Sequence, residues 1–166
     1  MGWIMNRAVK RSLKDCEKEI VAIRKMIQRQ GVFHPSVPFL TKYSLIKACG
    51  TIEVAFKSII ADFFGRSRLQ QVRHYIEEKV TNSSMNPSLG NIERVLKSFD
   101  ANWESNFRLS LNANRHQGRI RSSLKSLVNA RNEFAHGLNP TLSISDIESY
   151  YKDSVIIINV VASVVR

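Results

Sequence analysis

The chain has few residues that could form covalent cross-links or hold a metal ion. Two of its 166 residues are cysteines, Cys16 and Cys49, and each lies in an apolar pattern of helical spacing without a C-x-x-C pair. Neither a disulfide framework nor a structural zinc site can be built from so few ligands. The sequence also contains no D-x-D or H-x-H cluster. We therefore expect two buried, reduced thiols, no cofactor and no metal ion.

Long hydrophobic segments are also missing. The first ten residues contain no apolar segment followed by a small-residue cleavage site, so we expect no secretory signal peptide. The longest apolar stretch, residues 155–165, is interrupted by Asn159 and Ser163. It is shorter than the roughly 20 residues that span a bilayer. These absences predict a cytoplasmic protein without a membrane partner.

Acidic residues are scarce relative to basic ones. The 14 Asp and Glu face 25 Lys and Arg, which leaves a formal net charge of +11. Such self-repulsion is typical of a protein that meets a polyanion. Nucleic acid is therefore the first candidate partner, and an ordinary basic surface is the alternative.

The apolar residues follow helical spacing along the whole chain. A first helix carries a stripe of six residues, Val9, Leu13, Cys16, Ile20, Ile23 and Ile27, and ends at Gly31. A second is expected at about residues 40–64, with an apolar stripe that includes Ile46 and is interrupted by Glu53. Shorter helices are expected at 69–80, 92–99 and 103–111.

Two more helices complete the pattern. One carries an apolar stripe from Ile120 to Ala135 and stops near Gly137 and Pro140. The last is expected to begin near Ser145, where Ser145 and Glu148 have capping-box spacing, and to run to the end. Its residues 155–165 would also suit a buried strand, but no second strand pattern exists to pair with them. The sequence therefore predicts one all-α domain over residues 1–166, an antiparallel bundle of about five to seven helices.

One charge interrupts the apolar stripe of each of two helices. Continuing the Ile120 stripe beyond Leu127 and Val128 leads to Arg131, and the matching charge in the second helix is Glu53. A buried guanidinium costs several kcal/mol unless it is paired or functional. We therefore predict that Glu53 and Arg131 approach each other inside the bundle.

Polar side chains follow Arg131 at the end of the same helix. Asn132 and His136 are four residues apart and so share one helix face. The negative end of the helix dipole favours cations there, and a histidine titrates near neutral pH as acid–base catalysis requires. A basic residue and a histidine before a terminal glycine also suit an ordinary helix end, so spacing alone leaves both interpretations open.

The segment L-V-N-A-R-N-E-F-A-H-G at residues 127–137 resembles the signature helix of the HEPN superfamily. Arg131, Asn132 and His136 match its R-N-x-x-x-H form. Residues 45–56 with Glu53 resemble the second helix of that family, and residues 145–166 lie where it has its last helix. The resemblance implies a helical bundle that dimerises so that two copies of the motif meet in one cleft.

The same resemblance implies metal-independent cleavage of RNA. The 2′-hydroxyl would be the nucleophile, with His136 as its proton-transfer partner, Arg131 on the scissile phosphate and Asn132 orienting His136 or the ribose. Some relatives carry a tyrosine two residues after the histidine that a partner nucleotidyltransferase modifies; Leu138 stands there and argues against such a partner. Many relatives are toxins or antiviral defence effectors, so a neutralising antitoxin or a larger defence assembly are possible partners.

Two further expectations come from the residues themselves. Among the basic residues upstream of the motif, Arg121 and Lys125 are expected to bind an RNA backbone, although a solvated helix face is the alternative. The apolar last helix predicts a homodimer, because it is apolar on nearly every side. A noncatalytic module that binds RNA or a protein, or an accessory domain of a larger assembly, remains the alternative function.

Overall fold

A computed structural model describes residues 5–65 and 67–165. This part of the chain forms seven α-helices, one π-helical turn and no strand, which confirms the all-α class. The α-helices are α1 (Arg7–Gln30), α2 (Val37–Phe64), α3 (Gln70–Ile76), α4 (Leu89–Phe99), α5 (Ala101–Asn112), α6 (Gln117–Ala135) and α7 (Ile144–Val164), and the π-helical turn Glu77–Thr81 continues α3. None of these helices is long and apolar enough to cross a membrane. The expectation of no signal peptide rests partly on residues 1–4, which lie outside the described part.

Helix α1 follows its sequence pattern closely. All six residues of its stripe are buried, Cys16 among them. The helix begins after Asn6, whose side chain accepts a hydrogen bond from the Ala8 N–H, and it ends at Gly31. Gly31 has a φ of 91°, a backbone conformation that side chains disfavour, so the residue type fixes where the helix stops.

Two helix starts differ from the sequence prediction. Helix α2 begins at Val37, before the expected residue 40. A proline is tolerated in the first turn, because the N–H that it lacks would have no acceptor within the helix there. The capping box of α7 is formed by Ser143 and Asp146, and the Ser145–Glu148 box is wrong. Both pairs have the same spacing, so the sequence pattern could not separate them. Arg166, the expected end of α7, lies outside the described residues.

Helix α7 lies at the centre of the bundle. It packs against α1, α2, α5 and α6. The Tyr151 hydroxyl donates a hydrogen bond to the Leu13 carbonyl of α1 at 2.8 Å, and both groups are buried. The apolar residues of its last turns are covered by these neighbours: Ile157, Ile158, Val161, Val164 and Val165 are all buried. Ile156 and Val160 are half-buried against the same core, so this helix leaves little apolar surface for a second chain to cover, and the homodimer stays a prediction.

The remaining stripe residues are buried with four exceptions. Phe63 of α2 and Phe134 of α6 are half-buried, Ile46 of α2 is 42% exposed, and Ala135 is exposed because α6 ends there. The buried residues from all parts of the described chain form one hydrophobic cluster. This core holds α2 and α6 side by side, and the candidate site lies at one end of that pair.

Candidate active site

Helices α2 and α6 run antiparallel with a register that side-chain contacts define. The Cys49 thiol donates to the Leu127 carbonyl at 3.4 Å. Seven residues earlier on α2, Lys42 Nζ lies 5.5 Å from the centroid of the Phe134 ring, which is seven residues later on α6. The N-terminal half of α2 therefore flanks the C-terminal half of α6.

The three residues of the motif lie at this C-terminal end of α6. Arg131 and Asn132 are half-buried, whereas His136 is exposed. The Arg131 guanidinium donates from Nη1 to Asn132 Oδ1 at 3.3 Å, and the His136 N–H donates to the Asn132 carbonyl at 3.0 Å. Asn132 thus links the two other residues, through its side chain to Arg131 and through its backbone to His136.

The backbone fixes His136 as the last residue before the chain turns away. Gly137 has a φ of 81°, which favours glycine. Its N–H donates to the Phe134 carbonyl at 3.0 Å, and the Leu138 N–H donates to the Glu133 carbonyl at 2.9 Å. These two bonds form a Schellman motif, which satisfies carbonyls that the helix leaves open. The His136 imidazole therefore extends from the exposed end of a well-terminated helix.

The predicted pairing of Glu53 with Arg131 is wrong. Glu53 Oε1 instead accepts from Lys57 Nζ at 2.5 Å, and in residues 5–65 and 67–165 no ion pair joins Glu53 to Arg131. The antiparallel register places Arg131 opposite Leu45, eight residues before Glu53, which is about 12 Å along the helix axis. Lys57, one turn after Glu53, is much closer.

Cys49 lies between these two charged groups. Burial raises the pKa of its thiol to about 12, with nearby Arg131 lowering it and nearby Glu53 raising it by smaller amounts. Arg131 and Glu53 therefore both act electrostatically on the Cys49 thiol, although they form no ion pair with each other within the described residues. The thiol stays protonated at neutral pH, as expected for a free, buried cysteine.

Lys42 contacts the residues around the motif, and sequence reasoning did not identify it. Its Nζ donates to Asn139 Oδ1 at 2.7 Å, in the loop that follows Gly137, while also facing the Phe134 ring. One signal could have identified it, because Lys42, Cys49 and Glu53 are spaced seven and four residues apart and share one stripe of α2. Lys42 thereby ties α2 to both sides of the His136 turn.

The basic residues of α6 have different partners. Arg119 Nη2 donates to the buried carboxylate of Asp153 on α7 at 3.0 Å, so its charge is matched within the fold. Arg121 donates to two amide oxygens, those of Gln117 and Asn112. Lys125 is exposed and makes no ion pair within the described residues.

The positions of Arg121 and Lys125 relative to the motif follow from helix geometry. Residues 121, 125, 132 and 136 are spaced by four, seven and four, so they lie on one stripe of α6. The expected RNA-binding residues therefore share a face with Asn132 and His136. Across the described residues, no group of three or more His, Cys, Asp or Glu side chains is placed to hold a metal ion.

Comparison with known proteins identifies the family of this chain. A family model described as RiboL-PSP-HEPN matches residues 11–165, a segment that includes the α2 stripe and the R-N-x-x-x-H motif. No curated protein and no solved structure matches the chain significantly. The family match covers nearly the whole sequence and confirms the resemblance first seen at residues 127–137. The chain belongs to the RiboL-PSP-HEPN family of the HEPN superfamily.

Proposed function

We propose that this protein is a metal-independent endoribonuclease whose site consists of Arg131, Asn132 and His136. The observation that supports it most is the linkage through Asn132 at the open end of α6, which holds a guanidinium and an exposed imidazole on neighbouring turns. Membership of the HEPN superfamily supports a role connected with RNA, and the net charge of +11 suits a polyanionic substrate.

The proposed reaction is an internal transfer of the phosphoryl group. Neutral His136 takes the proton of the ribose 2′-hydroxyl, and that oxygen attacks the adjacent phosphorus while the bond from phosphorus to the 5′-oxygen breaks. The 5′-oxygen leaves with a proton supplied by the protonated His136 of a second copy in a shared cleft, while the first His136 keeps the proton taken from the 2′-hydroxyl. The products are a 2′,3′-cyclic phosphate and a 5′-hydroxyl.

Arg131 and Asn132 have supporting roles in this proposal. The guanidinium holds two phosphate oxygens and offsets the charge that develops on them in the transition state. Its hydrogen bond to Asn132 Oδ1 restricts its orientation before substrate arrives. The Asn132 carbonyl anchors the backbone of His136, and the Asn132 amide nitrogen is a donor for the ribose.

The decisive experiment is RNA cleavage by the pure protein in excess chelator. We expect wild type to cut RNA and leave a 2′,3′-cyclic phosphate, and to spare DNA, which lacks the 2′-hydroxyl. His136→Ala should lose roughly a hundredfold to ten-thousandfold in rate. His116→Ala, which removes an exposed histidine at the other end of α6, is the matched control and should retain activity. Full metal-free activity of His136→Ala, or cleavage that requires added magnesium, would show that the site is wrongly assigned.

Two further variants test the arginine and asparagine roles. Arg131→Ala should lose activity, and Arg131→Lys should restore little of it, because an ammonium cannot reproduce the bidentate fork. Asn132→Ala should have a milder effect, since it does not itself transfer a proton. Each variant is compared only after circular dichroism shows an intact helical fold.

The biological setting that we propose is a toxin or antiviral effector held in check by an antitoxin or a larger assembly. A noncatalytic protein-binding module is the second candidate function. It is favoured by exposed apolar side chains around the turn between α1 and α2, where Phe33 is 98% and Phe39 is 74% exposed. The His136→Ala comparison separates the two candidates, because a noncatalytic module would cut RNA in neither form.

A further inference from the structure

A cleft lies beside α6, next to the motif. Its volume is about 500 Å³, and its walls are the first residues of α4 on one side and the middle of α6 on the other. The residues that matter for its chemistry are Leu89, Arg121, Lys125, Val128 and Asn129. This volume is within the range of sites for small organic molecules.

The walls of the cleft carry positive charge that the fold does not neutralise. Arg121 is held by amide oxygens, and Lys125 makes no ion pair within residues 5–65 and 67–165. The acidic residue on α4, Glu93, is already paired with Arg108 at 2.8 Å. Arg119, by contrast, is matched by Asp153. The cleft is therefore a place where a phosphate group gains favourable interactions.

The cleft also offers features that a phosphate alone would not use. Val128 is buried and Leu89 half-buried, so together they present an apolar surface to the cleft. The exposed Asn129 side chain has both a donor and an acceptor, which can pair with the edge of a base. Cations, an apolar surface and an amide together fit a nucleotide better than an inorganic anion.

The cleft is aligned with the motif. Asn129 is one helical turn before Asn132, and Lys125 is eleven residues before His136, about 16 Å along the helix axis. A strand with its scissile phosphate at His136 would follow this face of α6 and bring a nearby nucleotide to the cleft.

We propose that the cleft between α4 and α6 binds one nucleotide of a single-stranded RNA substrate close to the cleavage point. Arg121 and Lys125 contact the backbone phosphates, and Asn129 reads the base and so determines which sequence is cut. This inference rests on the proposed ribonuclease function and adds its substrate subsite.

Binding is tested in the His136→Ala background, where the RNA stays intact. Fluorescence anisotropy measures the affinity for a short fluorescein-labelled single-stranded RNA over a range of salt concentrations. Lys125→Ala should weaken binding several-fold and reduce the slope of log affinity against log salt by roughly 0.7, the contribution of one phosphate contact. Lys14→Ala removes the same charge from the exposed face of α1 and is the matched control, with a smaller loss expected. Equal effects of the two lysine variants would overturn the assignment.

Base reading is tested in the protein with His136 intact. Asn129→Ala should redistribute cleavage among the sites of a mixed-sequence RNA, because the contact that selects the base is lost. An unchanged cleavage pattern would overturn the role of Asn129. If wild type cuts RNA, but Lys125→Ala binds it as Lys14→Ala does and Asn129→Ala leaves the cleavage pattern unchanged, the cleft assignment fails while the ribonuclease proposal stands. If wild type cuts no RNA while Lys125→Ala still weakens binding selectively, the ribonuclease proposal fails and the cleft stands as an RNA site.

Discussion

Lys57 of α2 is a buried charged residue whose stability depends on two individual hydrogen-bond partners. Lys57 is 7% exposed and donates both to the Glu53 carboxylate and to the Ser83 carbonyl. An ammonium so far from water is stable only while its hydrogen-bond acceptors are present. The pair therefore joins α2 to the segment that follows the π-helical turn.

We predict that Glu53→Ala destabilises the protein by about 3 kcal/mol, because it leaves the Lys57 ammonium buried without its counter-ion. The double variant Glu53→Leu/Lys57→Met, which replaces the pair with apolar groups, should be more stable than Glu53→Ala. Urea unfolding of each variant measures both effects. A double variant that loses as much as the sum of its single substitutions would contradict this account.

At the residue scale the sequence was informative about which residues are unusual and less so about their partners. It predicted correctly that both cysteines are buried. It identified Glu53 as a charge within an apolar stripe but gave it the wrong partner, Arg131. Apolar spacing within each helix does not reveal which residues of α2 lie opposite which residues of α6. That register is set by packing across the bundle, as the contact from Cys49 to Leu127 shows. The roles of Arg131, Asn132 and His136 stay predictions.

At the scale of helices, α7 is linked to α1 by a part-buried charge cluster. Glu148 accepts from Arg24 of α1 at 2.5 Å and from Lys152 at 2.6 Å. Burial alone would raise the pKa of Glu148, but hydrogen bonds from Lys152 and Arg24 outweigh it and hold that pKa below its ordinary value. A carboxyl with a lowered pKa stabilises the fold above its unfolded-state value, and this stabilisation is lost as pH falls through the folded value.

We therefore predict that Glu148→Gln lowers stability at neutral pH and that its difference from wild type shrinks as pH falls below about 4, because the unfolded chain takes up the proton first and the folded carboxyl is protonated only at lower pH. Thermal unfolding as a function of pH measures this. Glu17→Gln is the control, since Glu17 is more exposed and lies 3.9 Å from Lys152. A difference that stays constant down to strongly acidic pH would show that the Glu148 charge is not responsible.

Apolar spacing predicted that each helix is present, but it predicted the first residue of a helix less well. The pattern of α1 predicted its buried residues because one face meets the core and the other meets solvent. The start of α7 was missed because Ser143–Asp146 and Ser145–Glu148 have identical spacing; in the structure Glu148 pairs with Arg24 of α1, and Ser143 and Asp146 form the box. Apolar spacing therefore specifies a helix, and a glycine of positive φ specifies its end, but spacing does not choose between two candidate capping boxes.

At the scale of the whole molecule, the predicted homodimer needs a different surface from the one expected. Helix α7 is covered within the chain, whereas Phe33, Phe39 and Leu138 are exposed, the last beside the His136 turn. These side chains are the apolar surface that we expect a second copy to cover. Two chains of net charge +11 repel each other, so added salt should favour their association.

We predict that sedimentation detects a dimer at micromolar concentration and that Phe33→Ser shifts it toward monomer. Leu69→Ser makes the same kind of apolar-to-polar change at a side chain that is 62% exposed just before α3; it is the control and should leave the dimer intact. A stable monomer of wild type at all salt concentrations would refute the dimer, and equal effects of the two variants would refute the surface.

The central position of α7 also bears on how this protein is synthesised. The bond from Tyr151 to Leu13 joins residues 138 positions apart, so α1 and α2 leave the ribosome long before the helix that covers them. At roughly 5 to 20 residues per second, the nascent chain stays without that partner for several seconds. Until α7 has emerged, the α2–α6 pair has no complete core to support it. The end of α6 that carries Arg131, Asn132 and His136 therefore gains its full packing only after α7 has been synthesised.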